Sequence, residues 1–472
     1  MPEANRKWLD ERFRDRPDSG AAGLEPALAF NRWRVLKLAE TIEWAAAESP
    51  WYRRRLQSMA APETAAELKS LASRNNGLDR ASAILAALPF TTQADLAADS
   101  DAFLAVGHSE VEGVVSVPTS GTSGPAKRIR STAGDMEETI VFFQYGMRFL
   151  ITPGRDRVAL AMSPARPGNV GDLLGQALDR IGGTPFLAHG FVPDGVEAET
   201  RWLEELAAWA PTCLVGVPPQ VLALSRHDLS GRLNLKTILL SGDVADDNLV
   251  AELERNLAGA RVFRHYGLTE TGLGGAVECG QRDWPHLRDD LWVEIIGPDE
   301  RPVGEPGQGG EIVITPLTRR GLPLLRYRTG DEGFIVSEAC PCGSILPRLK
   351  IFGRLADRLT LPTGRILRVA DFEAPLLALP FVRDFDLRLH TGSPGGLEVV
   401  LSLSPEAPDH APRAAAEAIR SWLGPDLAGL PLFIELAGPE TRPRASGGKR
   451  RLLKTEAPPP QGARGPTSGR FS

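Results

Sequence analysis

Residues 212–226 read TCLVGVPPQVLALSR, a short apolar run followed at once by a helix pattern that begins with two prolines. Such a run predicts a buried strand, and proline is favoured in the first turn of a helix. The alternation of strand and helix continues from residue 157 to residue 266. Strands that alternate with helices predict a parallel sheet covered on both faces, and therefore an α/β fold.

The ends of the predicted strands indicate where a ligand binds. In a parallel sheet, ligands lie just beyond the carboxyl ends of the strands. We expect the active site there, because these ends are rich in glycine, proline and small polar residues. The segments are SPARPG (163–168), AHG (188–190), VPP (217–219), SGD (241–243) and YGLTETG (266–272).

The rest of the chain divides by its patterns. Residues 1–105 predict mainly helices, and antiparallel strands begin at Leu291. A smaller α+β pattern follows Gly353 and begins with a helix over 370–379. The chain has 472 residues, whereas a single core stops growing near about 250–300 residues. We predict a large domain over residues 1–353, with parallel sheets and a small antiparallel β region. A small α+β domain over 354–455 and a disordered tail over 456–472 follow.

Composition narrows the location and the partners. The net charge is −6, with acidic and basic residues mixed along the chain, which argues against nucleic acid or an anionic membrane as a partner. The first twenty residues are charged and lack the apolar core of a signal peptide, and no apolar run approaches the roughly 20 residues of a membrane span. We therefore expect a cytoplasmic protein. Its oligomeric state stays open, with a homodimer among the candidates.

Residues 119–128, TSGTSGPAKR, combine glycines, hydroxyl groups and two basic side chains. Glycines allow backbone N–H groups to approach an anion, so the segment could wrap a phosphate. The spacing G-x2-G-x2-K is not that of a P-loop, and Gly/Ser turns are common. Taken alone, the segment leaves both a phosphate loop and a plain turn open.

Four further motifs change that balance. YGLTE (266–270), YRTGD (327–331), GRLAD (353–357) and GGK (447–449) follow the loop in this order. Together they resemble the adenylate-forming superfamily of acyl-CoA ligases. Three other segments resemble its phenylacetate–CoA ligase branch, and the resemblance spans residues 40 to 455. These segments are SPWYRRRL (49–56), LPFTTQADL (88–96) and CPCGSILPRLKIFGR (340–354).

The resemblance implies a large N-terminal domain, a small mobile C-terminal domain and a reaction in two steps. A carboxylic acid attacks the α-phosphorus of ATP to give acyl-AMP and pyrophosphate, and coenzyme A then takes the acyl group as a thioester. Two alternatives stay open. The chain could load a carrier protein or an amine, or it could bind nucleotide without turnover. The sequence does not name the acid.

The resemblance also assigns roles around ATP and Mg²⁺. Glu270 holds Mg²⁺, a cation that prefers carboxylate and phosphate oxygens. Tyr266 stacks on adenine, Asp331 accepts hydrogen bonds from the ribose hydroxyls, and Arg354 reaches the ribose–phosphate side. Lys449 serves the adenylation step. The loop residues that cradle the β- and γ-phosphates are Ser120, Gly121, Thr122, Ser123 and Gly124.

Some positions complete the motifs or depart from them. Gly267 and Thr269 belong to YGLTE, and Gly242 with Asp243 stands where the superfamily has a GAE-like segment near adenine. Thr122 joins Glu270 and Lys449 in the predicted catalytic set. Lys127 stays outside that set, because the superfamily commonly places a lysine directly after the last glycine of the loop. The spacing around Lys449 differs by about a residue from the branch pattern, so Lys454 is the reserve candidate.

Each assignment has a structural alternative. Tyr266 could be a core aromatic, Glu270 a carboxylate at a helix start, and Asp331 the end of a turn. Arg354 and the Lys449 cluster could be solvated charges.

Three cysteines and a histidine lie near these motifs. Cys279, His286, Cys340 and Cys342 would form a Cys₃His set, which is common in structural zinc sites. The spacing is not C-x2-C, so reduced, half-buried thiols are the alternative. The fourth cysteine, Cys213, lies in an apolar strand and is predicted to be core.

Overall fold

The computed structural model of the chain describes most residues between 8 and 456. The described ranges are 8–20, 23–57, 61–74, 76–117, 127–162, 166–191, 193, 196–257, 259–305, 307–361, 363–391, 395–404, 406–427, 429–437 and 450–456. The predicted phosphate loop, Lys449 and nearly all of the predicted tail lie outside them. Within the described residues, no helix combines the length and the apolar character that a bilayer crossing requires.

Helices and strands alternate through the middle of the chain, as the α/β prediction requires. The α-helices are α1 (Trp8–Arg14), α2 (Pro26–Glu48), α3 (Pro50–Leu56), α4 (Ala61–Leu71), α5 (Gly77–Ala86), α6 (Gln93–Ala98), α7 (Ala133–Leu150), α8 (Val170–Arg180), α9 (Val196–Trp209), α10 (Pro218–Ser225), α11 (Asp247–Asn256), α12 (Glu373–Leu377) and α13 (Ala411–Leu423).

The strands are β1 (Val111–Val117), β2 (Lys127–Thr132), β3 (Val158–Ala161), β4 (Phe186–Ala188), β5 (Cys213–Gly216), β6 (Thr237–Leu240), β7 (Arg261–Tyr266), β8 (Ala276–Val277), β9 (His286–Leu287), β10 (Leu291–Ile296), β11 (Gly310–Pro316), β12 (Tyr327–Val336), β13 (Arg348–Arg354), β14 (Leu359–Thr360), β15 (Ile366–Leu367), β16 (Val382–His390), β17 (Gly396–Leu403), β18 (Leu432–Leu436) and β19 (Leu452–Thr455).

The chain folds into two compact units, each made of three segments. The first unit comprises Met1–Asp156, Ser163–Phe186 and Phe263–Ile351. The second comprises Arg157–Met162, Leu187–Val262 and Phe352–Ser472.

The first unit contains the predicted N-terminal helices, which are confirmed as α1–α6. Two helices next to the site begin with capping boxes, in which a threonine and an aspartate satisfy each other's backbone N–H groups. Thr92 and Asp95 begin α6, and Thr132 and Asp135 begin α7. The predicted antiparallel region is confirmed: β10 pairs with β11, β11 with β12, and β13 with β9.

The second unit contains the parallel strands predicted from residues 157–266. β3 pairs with β5 and β5 with β6, all parallel, and the buried faces of α10 and α11 share one apolar core with them. Cys213 on β5 is fully buried, so the prediction of a core cysteine is confirmed.

The end of the chain also follows the predicted α+β pattern, with two differences. The helix expected over 370–379 is a 3₁₀ turn, Val369–Phe372, followed by the short α12. Strand β19 was not predicted; it pairs in parallel with β16, while β16 and β17 are antiparallel. Side chains from this part share the core of α10 and α11, including Phe372 and Leu376.

Candidate nucleotide and metal sites

The motifs YGLTE and YRTGD are linked by two reciprocal hydrogen bonds. The Tyr266 hydroxyl, from the first residue of YGLTE, donates to Asp331 Oδ2, from the last residue of YRTGD, over 2.8 Å. The Tyr327 hydroxyl, from the first residue of YRTGD, donates to Glu270 Oε1, from the last residue of YGLTE, over 2.9 Å. β7 ends at Tyr266 and β12 begins at Tyr327. The fold therefore brings together the residues predicted to contact adenine, ribose and Mg²⁺.

Lys127 lies against Glu270, which sequence reasoning missed. The Lys127 ammonium forms a buried ion pair with Glu270 Oε1 and lies 3.5 Å from the Tyr327 hydroxyl. Burial alone would raise the pKa of Glu270, but the charge and hydrogen bond of Lys127 hold it below its usual range. Glu270 is therefore ionised at neutral pH. No apolar alternation in KRIRST distinguishes Lys127, so its burial beside an exposed Arg128 is apparent only from the structure.

The Lys127 ammonium has a second partner on α6. It donates to Gln93 Oε1 over 3.4 Å, and Gln93 Nε2 donates to the Thr329 carbonyl over 2.6 Å. Gln93 therefore connects the base of the phosphate loop to the backbone of YRTGD. Its segment, LPFTTQADL, was identified from the sequence only as a mark of the family branch.

A second branch segment braces the same strand. The hydroxyls of Tyr52 and Thr91 lie 2.6 Å apart, and both residues are fully buried. Thr91 donates to the Leu325 carbonyl over 2.8 Å, and the Leu325 N–H donates to the Tyr52 hydroxyl over 2.7 Å. Because buried polar groups are costly unless satisfied, this closed network fixes the entry to β12.

Gly267 turns the chain between Tyr266 and Glu270. A Cβ at this position would lie 1.8 Å from the Leu273 carbonyl oxygen, so the backbones approach too closely for any side chain. Thr269 opens the 3₁₀ turn Thr269–Thr271, which places Glu270 in the buried interior. Tyr266 is half-buried and packs against a buried apolar cluster, and Asp331 lies within β12.

Gly242 and Asp243 follow β6 in the second unit. Gly242 has a φ of +90°, the left-handed region that favours glycine. Asp243 Oδ2 accepts a hydrogen bond from the backbone N–H of Arg450 over 2.9 Å. Arg354 ends β13 and is half-buried. Lys454, the reserve candidate for adenylation, lies exposed on β19.

The four predicted zinc ligands converge in the first unit. Their ligand atoms all lie within 4.8 Å of one another. Cys279 follows β8 and His286 begins β9, which pairs with β8 in a hairpin, while Cys340 and Cys342 lie in the turn before β13. The hairpin and the turn therefore bring together four residues that are distant in the sequence.

The internal geometry of this cluster fits a tetrahedral metal. The Cys279 and Cys340 sulfurs are 3.7 Å apart, close to the edge of about 3.8 Å for a tetrahedron with Zn–S bonds of about 2.3 Å. His286 Nε2 lies 3.5 Å from Cys342 Sγ, and His286 Nδ1 lies 3.0 Å from the Leu346 carbonyl. A proton on Nδ1 bonded to that carbonyl would leave Nε2 free to ligate, the usual arrangement for a metal-bound histidine.

Helix α1 contacts both loops of the cluster. Asp10 accepts hydrogen bonds from the Ser344 hydroxyl and the Ile345 N–H, just after Cys342. Arg12 and Arg16, at the other end of the helix, pair with Asp289, three residues after His286. These contacts join α1 and the residues just after it to the segments that carry Cys342 and His286.

A profile of the AMP-binding enzyme family matches residues 75–316, more than half of the chain. That range contains the loop and YGLTE. It also contains Gln93, Lys127 and Glu270, but not Tyr327, which bonds to Glu270. The fold and the linked motifs thus define an adenylate-forming, AMP-binding enzyme.

Curated relatives specify the branch. Phenylacetate–coenzyme A ligase of Thermus thermophilus is 30% identical over 404 residues, which cover 78% of this chain and 86% of that protein. The enzyme of the same name from Aromatoleum evansii is 26% identical over 394 residues, 79% of this chain and 82% of that protein. The chain therefore belongs to the phenylacetate–CoA ligase branch of the adenylate-forming superfamily.

Solved structures agree on the fold. A crystal structure of 2-hydroxyisobutyryl-CoA ligase in the postadenylation state with 2-HIB-AMP has a TM-score of 0.72 at 20% identity, covering 90% of this chain and 89% of that chain. The same ligase with 2-HIB-AMP and CoA in the thioesterification state has a TM-score of 0.62, covering 96% and 93%.

Proposed function

We propose that this chain is an AMP-forming acid–thiol ligase, which activates a carboxylic acid with ATP and transfers the acyl group to coenzyme A. The single observation that carries the proposal is the reciprocal linkage of YGLTE with YRTGD. It joins two tyrosines and two carboxylates, one of which also pairs with Lys127, in a chain of the phenylacetate–CoA ligase branch. Residues 1–353 would form the domain that binds ATP and the acid, and 354–455 the small domain that moves between the steps. A cytoplasmic location remains the expectation from composition.

Tyr266 and Asp331 recognise the adenosine in this proposal. One carboxylate can accept hydrogen bonds from two adjacent ribose hydroxyls. The Tyr266 hydroxyl already bonds to Asp331 Oδ2, which orients the carboxylate before the nucleotide binds. The Tyr266 ring would stack on adenine. Gly242, Asp243 and Arg354 keep the roles toward the nucleotide that the family resemblance implies.

Glu270 is the proposed ligand for Mg²⁺. A buried, ionised carboxylate would suit Mg²⁺, a hard cation that prefers oxygen ligands. Its Oε1 is held by Lys127 and Tyr327, so the carboxylate is fixed in orientation. Lys127 would keep the carboxylate ionised and add positive charge at the base of the loop. Bound Mg²⁺ would offset negative charge on the phosphates during adenylation.

The proposed binding site for the phosphates is the loop over residues 120–124, which lies outside the described residues. Ser120, Gly121, Thr122, Ser123 and Gly124 would supply backbone N–H and hydroxyl donors to the β- and γ-phosphates. The loop connects β1 to β2, and these strands pair from Val111–Thr132 to Val117–Lys127. The pairing brings the two ends of the loop together, which suits a loop that wraps an anion.

The Cys₃His cluster is the proposed site of one structural Zn²⁺. Four protein ligands complete a tetrahedral coordination shell, so no position remains for substrate or water. The metal would stabilise the hairpin, the turn before β13 and α1, and it would take no part in the chemistry.

Pyrophosphate exchange tests the overall function. A panel of aryl, arylacetic and fatty acids is expected to include at least one that gives Mg²⁺-dependent exchange of pyrophosphate into ATP. Free CoA should then convert the adenylate to a thioester. Exchange without thioester formation would identify a carrier protein or an amine as the acceptor, and no exchange with any acid would contradict an adenylating enzyme.

Asp331→Ala is expected to raise the KM for ATP by about tenfold or more, the effect of losing a charged hydrogen-bond acceptor. Tyr266→Phe is the matched variant, because it keeps the ring for stacking and removes only the hydroxyl that orients Asp331. It should raise the KM for ATP less than Asp331→Ala does. The measurement is the ATP dependence of exchange at saturating acid. An unchanged KM in Asp331→Ala would exclude it from the ribose site.

Glu270→Gln is expected to raise the Mg²⁺ concentration for half-maximal exchange by about tenfold, since it removes the charge of the proposed ligand. The single variant also leaves the Lys127 ammonium buried without its partner, which costs about 3–5 kcal/mol of stability. Glu270→Gln with Lys127→Met removes both charges and serves as the folding control. Mg²⁺ activation that is normal in both folded variants would place the metal elsewhere.

A further inference from the structure

Arg226, the residue after α10, is buried among partners from a distant part of the chain. Its side chain is 6% exposed. The guanidinium donates to the backbone carbonyls of Leu377, Leu379 and Val382, which are the end of α12 and the turn into β16. It also pairs with Glu252 on α11 over 2.8 Å.

The Leu377 carbonyl lies in the last turn of α12, where carbonyls have no N–H within the helix to bond. The Leu379 carbonyl also accepts the Val382 N–H, so Arg226 adds a second bond there. A guanidinium has five donors in a fixed planar fork, so it can satisfy several carbonyls at once, which a lysine ammonium does less well. Arg226 thus acts as a cap for α12 that comes from a different segment of the second unit.

Other contacts join the same two segments. Arg383 pairs with Glu199 on α9, and the Asp246 N–H donates to Glu373 Oε2 over 3.4 Å. Helix α11 contacts α12, and α10 contacts β16. These contacts form a seam between residues 196–256 and residues 373–390. Arg226 contributes three of the hydrogen bonds described across it.

Arg450 connects this seam to Asp243, which follows β6. Its buried guanidinium pairs with Glu373 on α12 and, over 2.8 Å, with Asp384 on β16. Its backbone N–H donates to Asp243. Arg450 therefore contacts α12, β16 and Asp243 at the same time.

We propose that Arg226 is a positioning residue for adenylation: it holds α12 and the start of β16 in the arrangement in which Arg450 reaches Asp243. The inference rests on the proposed function, in which residues 354–455 move between the two steps and adenylation requires the residue just before Arg450. When these residues move away from α10, the three carbonyls leave Arg226. The thioester step therefore does not depend on this cap.

The test compares the two half-reactions in Arg226→Gln. Pyrophosphate exchange, with the acid that the panel selects, is expected to fall by about tenfold or more, the factor for losing one charged hydrogen bond. Thioester formation from the synthetic acyl-adenylate and CoA should stay within about twofold of the original rate. Arg226→Lys should recover part of the exchange, because it restores the charge but not the fork.

Arg255→Ala is the matched control. Arg255 pairs with the same Glu252, but its side chain is 68% exposed, and this ion pair lies within α11. Both half-reactions should be normal in this variant. An equal fall of both half-reactions in Arg226→Gln, or normal exchange, would overturn the proposal.

Hydrogen–deuterium exchange separates this inference from the proposed function. Amides of residues 373–390 should lose protection in Arg226→Gln and keep it in Arg255→Ala. Unchanged protection in Arg226→Gln would overturn the positioning role whatever the enzyme assays show. If the original chain shows no pyrophosphate exchange with any acid, the proposed function fails, and with it the catalytic part of this inference.

Discussion

Lys449→Ala is expected to slow adenylation by about 10²–10³-fold, the usual effect of removing one donor that stabilises developing charge. Negative charge accumulates at the α-phosphorus of ATP as the carboxylate approaches. An ammonium placed there would offset the repulsion and orient the nucleophile. In the proposed two-step reaction, the small domain carries Lys449 away before the thiol enters. The thioester step should therefore proceed normally when acyl-AMP and CoA are supplied.

Lys454→Ala is the matched variant for this prediction. Lys454 lies exposed on β19, where it is paired through its backbone with Leu389 on β16. If Lys449 is the adenylation lysine, Lys454→Ala should leave both half-reactions unchanged. Pyrophosphate exchange and thioester formation are measured separately in the two variants. Normal exchange in Lys449→Ala, or an equal loss of both steps, would contradict the assignment.

Cys340→Ser is expected to abolish the binding of about one zinc per chain and to lower the thermal stability of the first unit. Cys340 is buried, and its sulfur lies 3.7 Å from that of Cys279. Because ligands converge only in the folded state, metal-binding energy at a structural site is folding energy. The loss should also release α1, whose Asp10 bonds to residues that follow Cys342. Metal analysis and limited proteolysis near residue 14 measure the two effects.

Cys213→Ala is the control, since Cys213 lies on β5 in the second unit and outside the cluster. It should keep its zinc and the protease resistance of α1. The protein must be purified without chelator. Protein prepared in this way that contains no zinc would leave the cluster as three reduced thiols and a histidine.

Local sequence patterns predicted most of the secondary structure. The parallel strands β3, β5 and β6 and the helices between them follow from apolar runs bounded by proline, glycine or charged residues. These signals depend only on residues that are neighbours in the chain, so they can be recognised in a single sequence. The prediction was less accurate where the local signal was weak: α12 is shorter than predicted, and β19 is a four-residue edge strand that pairs with β16.

The sequence also named the residues of both candidate sites, because YGLTE and YRTGD are specific in their order and the three cysteines and the histidine are residue types that bind metals. It did not identify Lys127 as the partner of Glu270. The residues are 143 positions apart. The family spacing also predicts the lysine directly after the last glycine of the loop, and not at position 127. The roles of Tyr52, Thr91 and Gln93 were equally hidden, since a motif that marks a branch does not say what it contacts.

The sequence by itself determined the α/β class, the order of the elements and the set of polar residues available for catalysis. Only the tertiary structure decided which of them meet: Tyr266 with Asp331, Tyr327 with Glu270, and Arg226 with the end of α12. The physical reason is the range of the interactions. Strand and helix preferences act over a few residues, whereas a buried charge or hydroxyl must find its partner wherever the folded chain brings one within about 3 Å.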